Sequence, residues 1–168
     1  SFMVEHVSLS ADKKWLTFSA NTGPDKNDLD RRHAARVPVD KPTMEVMTPG
    51  TGLEWMPVVT GDGKNMVCIS ATAQRSPLPA VMSFSANQKL ALIGKELIPT
   101  VFPEKSLVTP KKVTFLSPDG VTVHADLFEP MNNSGKKPAI VYIHGGPPRQ
   151  MLLGWHYSDY YSNAYASN

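Results

Sequence analysis

The chain has 168 residues with 17 Lys and Arg against 15 Asp and Glu, a formal net charge of +2. That balance gives no electrostatic case for a nucleic-acid partner. The longest apolar run, Ala139 to Ile143, is far shorter than the roughly 20 residues of a spanning helix, so no membrane span is expected, and no charged-then-apolar signal segment opens the chain.

In chain order, the first feature is a pair of similar stretches. Ser10 to Ala20 (SADKKWLTFSA) and Thr60 to Ser70 (TGDGKNMVCIS) align Asp12 with Asp62 and Lys14 with Lys64. In each, a polar turn feeds an alternating strand. The period of 2 places Leu16, Phe18 and Ala20 on one face of the first strand and Met66, Cys68 and Ser70 on one face of the second. A self-similarity near 50 residues, built from turns and short strands, is the size of one four-stranded propeller blade.

Between the copies, Asn21 to Arg32 is a polar insert expected to be an exposed loop. The cluster Arg31, Arg32, His33 and Arg36 is read as solvated and locally offset by Asp25, Asp28 and Asp30. Further strands are expected at Ala35 to Val39, Met44 to Met47 and Ala80 to Phe84, punctuated by Pro49-Gly50 and Ser76-Pro77. Cys68, the lone cysteine, excludes a disulfide within the chain and reads as a buried thiol. His6, His33, His124 and His156 show no metal-ligand spacing, and no P-loop is present, so no cofactor is expected.

After Pro103 the pattern changes. Lys111 to Glu129 reads as a hairpin, with Val113 and Phe115 alternating, Ser117-Pro118-Asp119-Gly120 supplying the turn, and Val121, Val123, Ala125 and Leu127 sharing a face. A polar loop, Met131 to Lys137, leads to the unbroken apolar run Ala139 to Ile143. Such a run is expected to be a strand covered on both faces, as in a sheet flanked by helices. It runs into His144-Gly145-Gly146-Pro147-Pro148. Ligand sites in α/β sheets lie beyond the carboxyl ends of strands, and adjacent glycines allow backbone N–H groups to approach a developing oxyanion. A helix is expected to open near Ser158-Asp159, with Tyr161, Ala164 and Tyr165 on one face.

These residues carry a family resemblance. Pro118-Asp119-Gly120, then VTVHADLFEP to Pro130, a short polar loop, and KPAIVYIHGGP to Pro147 resemble the start of the catalytic domain in the prolyl oligopeptidase family of serine peptidases, which includes dipeptidyl peptidase and acylaminoacyl peptidase branches. The resemblance implies a mixed fold: C-terminal β-propeller blades over 1–107, then the N-terminal part of an α/β-hydrolase domain over 108–168. It implies that Gly146 holds the oxyanion and that Gly145 frees the loop. His144 stands where some branches carry a tyrosine, and it either hydrogen-bonds within the loop or faces substrate. No Gly-x-Ser-x-Gly elbow occurs in the 168 residues, so nucleophile, base and acid are expected elsewhere and the chain alone is expected to be inactive.

The implied function is hydrolysis of peptide bonds by a serine peptidase. The alternatives are a carboxylesterase of the same hydrolase fold and a non-catalytic propeller binding module. The partners expected are a peptide substrate, the remainder of the parent chain and further copies of this one, since open sheet faces favour strand exchange or self-association. The resemblance is compatible with either bacterial periplasm or cytoplasm.

Overall fold

The computed structural model describes residues 2–22, 28–85, 89–132, 134–146 and 150–155. Its first sheet joins β1 (Val4–Leu9), β2 (Trp15–Ala20), β3 (His33–Pro38) and β4 (Glu45–Val46) in sequence order, all antiparallel. The second repeats that plan with β5 (Leu53–Val59), β6 (Asn65–Ala71), β7 (Leu78–Ser83) and β8 (Ala91–Leu92). A separate two-stranded ribbon pairs β9 (Lys111–Leu116) with β10 (Thr122–Leu127). Among the described residues the only helical element is the 3-10 turn Lys95–Leu97, so the described fold is all-β.

The repeated turns form because their polar side chains replace missing ladder bonds. Ser10 Oγ donates to Asp12 Oδ1 at 2.6 Å, and the same carboxylate oxygen accepts from the Lys14 amide at 3.1 Å. Thr60, Asp62 and Lys64 repeat this at 2.6 and 3.0 Å. Each aspartate therefore holds the turn as an Asx-type acceptor, and these hydrogen bonds keep both carboxyls below their ordinary range. Ser117, Asp119 and Gly120 build a shorter version between β9 and β10.

The two four-stranded sheets bury a common core of Ala34 and Met47 from the first with Val59, Met66, Met82 and Phe84 from the second, and Trp15 and Leu90 pack against it. Phe18, Ala20 and Ala35 fill the opposite face of the first sheet, against Val37 and Met44. The expected alternation holds in β6, where Met66, Cys68 and Ser70 are buried and Val67 is exposed. It fails in β2, which is buried on both faces over Thr17–Ala20. The second face is covered by β5: Thr17 Oγ1 donates to the Pro57 carbonyl at 2.7 Å, and the Met56 amide donates to Ser19 Oγ at 3.2 Å. Small hydroxyl side chains are what let β5 lie that close to β2.

Two expectations are corrected. Arg32, His33 and Arg36 are buried rather than solvated: Arg32 pairs with Glu5 and Arg36 with Glu45 within the first sheet, and His33 meets Glu54 of the second. Ala139 to Ile143 is neither a strand nor covered: Ile143 is 87% exposed, and its backbone joins no ladder among the described residues. An apolar run specifies a covered strand only where neighbouring strands and helices supply the cover, and the described residues do not. The helix expected from Ser158 lies outside the described residues.

Candidate functional site

The segment His144-Gly145-Gly146 is exposed throughout. Gly146 has φ 83°, a left-handed conformation that glycine adopts without strain, and a Cβ built on Gly145 would meet nothing within 4 Å. His144 Nδ1 lies 3.3 Å from the Gly145 carbonyl, so the ring contacts its own loop.

Beyond this segment the chain returns to the first sheet. Gln150 Nε2 donates to the Leu29 carbonyl at 3.1 Å and to Asp30 Oδ1 at 3.0 Å, while its Oε1 accepts from Arg32 Nη2 at 3.0 Å. The Leu153 amide donates to the Asp30 carbonyl at 2.8 Å. Gly154 lies so close to Leu53 that a Cβ there would fall 2.1 Å from Leu53 Cδ1, which explains glycine at that position. Trp155 packs on Phe102 with ring centroids 5.9 Å apart. Asp30 also pairs with Lys112 of β9 at 2.5 Å, so one loop of the first sheet gathers the ribbon and the 150–154 segment.

The densest concentration of titratable groups is elsewhere, between the two sheets. His33, at the start of β3, is 1% exposed. Its Nδ1 lies 2.8 Å from the Thr48 carbonyl and 3.6 Å from Glu54 Oε2 on β5, and its Nε2 lies 3.8 Å from Asp28 Oδ2. Burial pushes the imidazole down, but Glu54, the Thr48 carbonyl and Asp28 outweigh it, and the net direction is up. Glu54 Oε1 accepts from Ser70 Oγ at 3.5 Å, Arg75 donates to Ser70 Oγ at 3.3 Å and to the Ser70 carbonyl at 3.0 Å, and Glu54 Oε2 is buried without a hydrogen bond. Gly52 makes room for this carboxylate, since a Cβ there would sit 2.6 Å from Glu54 Oε1.

Sequence reasoning treated His33 as an ordinary core or surface histidine and did not single out Glu54 or Arg75. A glutamate interrupting the apolar strand Leu53–Val59 was the available signal.

Among the described residues, the class these features define is an all-β arrangement of two consecutive four-stranded antiparallel units with a buried ionic seam between them. No family model and no curated protein matches the chain. Among similar solved structures is an Agrobacterium tumefaciens protein assigned as TolB, at 18% identity and a TM-score of 0.40, over 52% of this chain and 32% of that one. The chain thus spans about a third of that structure's length.

Proposed function

We propose that residues 4–92 act as a propeller-type module that binds and scaffolds without catalytic chemistry of its own. The observation that carries this reading is the succession of two four-stranded meanders on one 50-residue plan, buried against each other through a shared core. Its buried charged groups Arg32, Arg36 and His33 each meet a carboxylate of the module itself. The test is hydrolysis of fluorogenic dipeptide amides and a nitrophenyl ester by the purified chain. Neither is turned over above buffer. Turnover that a serine-directed phosphonate abolishes would overturn the reading.

A second reading is favoured by one observation, the exposed Gly145-Gly146 segment with Gly146 in a left-handed conformation. In it, the module belongs to a serine peptidase that cleaves peptide bonds, or esters in the esterase variant, and the Gly146 amide donates to the oxyanion while His144 stays within its loop. The Ser, Asp and His of such an enzyme would come from sequence outside these residues. In the product of the whole gene, Gly146→Pro both deletes that N–H and abolishes the left-handed φ that presents it, and is expected to lower kcat by about a hundred-fold or more. A whole gene lacking a Gly-x-Ser-x-Gly elbow removes this reading.

A further inference from the structure

Among the described residues, the polar groups that meet the His33 ring nitrogens are one carbonyl within hydrogen-bond distance and two carboxylates within ion-pair distance. On one side Nδ1 meets the Thr48 carbonyl at 2.8 Å and Glu54 Oε2 at 3.6 Å, and on the other Nε2 meets Asp28 Oδ2 at 3.8 Å. A neutral imidazole carries one N–H and one lone pair. The tautomer protonated at Nδ1 satisfies Thr48 but turns a lone pair toward the Asp28 carboxylate. The opposite tautomer turns its lone pair toward both a carbonyl and a carboxylate. The imidazolium is a donor at both nitrogens and a cation between two carboxylates, and it gives the buried, otherwise unbonded Glu54 Oε2 a compensating charge.

The three residues come from different places: Asp28 from the loop ahead of β3, His33 from the first sheet and Glu54 from the second. We propose that protonated His33 is a pH-dependent lock between the two sheets, closed when the imidazolium bridges Asp28 and Glu54 and loosened when it loses its proton.

The surrounding groups bear on this lock from each element packed there. Arg31 holds Asp28 Oδ1 at 2.8 Å, keeping that carboxylate in place while leaving Oδ2 for the ring. Arg75, in the turn after β6, reaches Ser70 beside Glu54 and offsets part of its charge. Cys68 on β6 stays a neutral thiol. Arg32 points the other way, to Glu5 of β1 at 2.6 Å and to Gln150. Because Arg32 adjoins His33 and the Glu54 amide donates to the Arg32 carbonyl at 2.9 Å, the lock sits next to the anchor of the 150–154 segment. A histidine whose folded form holds its proton more tightly adds stability below its unfolded value near 6.5, and that stability is lost as pH rises through the higher folded value.

The test is the protonation state of His33 in the full chain, read from nitrogen chemical shifts of histidine-labelled protein whose other four histidines are Gln. Both ring nitrogens are expected at imidazolium positions at pH 6.5, titrating above that pH. In parallel, the thermal midpoint of the natural chain should fall between pH 6 and 8.5, and His33→Gln should remove most of that fall. If His33→Gln does not fold, Glu54→Gln serves instead, and it should move the titration of His33 to lower pH. A neutral ring at pH 6.5, or a titration that Glu54→Gln leaves in place, would overturn the lock.

Discussion

His6 and Met56, fifty positions apart, both adopt left-handed backbone conformations, with φ 53° and 55°. Each lies in a bulge of the first strand of its sheet: the register slips between Glu5 and Ser8 in β1 and between Trp55 and Val58 in β5. The repeat therefore extends to backbone irregularities that no residue identity advertises, since a histidine and a methionine share the same unfavourable region. Bulges re-aim a strand, and these two give the first strand of each unit the same kink where it meets its neighbours.

The same relation holds in the turns that follow, where Lys13 at φ 61° corresponds to Gly63 at φ 71°. Gly63 has nothing within 4 Å of an added Cβ, so Gly63→Ala probes backbone strain alone. It is expected to cost about 1 kcal/mol in urea unfolding at an unchanged m-value. A neutral result would show that the turn relaxes into another conformation.

Arg36 pairs with Glu45 inside its own sheet and reaches across to Phe84 of the second. Its guanidinium lies 4.6 Å from the Trp15 ring centroid and 4.8 Å from that of Phe84, donates to Glu45 at 2.7 and 2.9 Å, and also reaches the Phe84 carbonyl. Arg36→Ala strands that carbonyl and opens the Trp15–Phe84 edge contact, for a loss of about 3 kcal/mol. Arg36→Lys should recover less than half, because an ammonium cannot make the forked contact. Denaturant unfolding of both variants checks the ranking.

The Cys68 thiol is pushed up to about 12 by burial and then by the Glu54 charge. Thiolate is the reactive form, so the native chain should resist iodoacetamide at pH 8 and react at a rate set by unfolding. Adding urea below the transition should raise the alkylation rate in step with the unfolded population. Rapid labelling in buffer would contradict this burial.

Asp126 on β10 is pushed up to about 6, first by burial and then by Asp30, with Lys112 acting the other way. A carboxyl that holds its proton more tightly when folded lowers stability as pH rises from its unfolded value near 4 to about 6. Asp126→Asn should therefore raise the thermal midpoint at pH 7.5 and change it little at pH 4. Equal shifts at both pH values would remove Asp126 as the cause.

Local signals were legible where a short stretch of chain decides the outcome. Asp12, Asp62 and Asp119 announce their turns because each carboxylate bonds backbone within two residues of itself. The Lys111–Leu116 and Thr122–Leu127 pair follows from its turn and alternation. Strands β1 and β5 were not legible, because their bulges break the period of 2 that would have revealed them.

The sequence by itself determined the 50-residue plan and the turn chemistry, both matters of spacing and of residues acting on their own backbone. Tertiary structure alone decided that Arg32, His33, Arg36 and Glu54 are buried partners and that Ala139 to Ile143 is bare. The physical reason is the same in both cases: a charge or an apolar run acquires its environment from chain that is distant in sequence. His33 meets Glu54 only after two sheets have packed, and a covered strand exists only where something covers it.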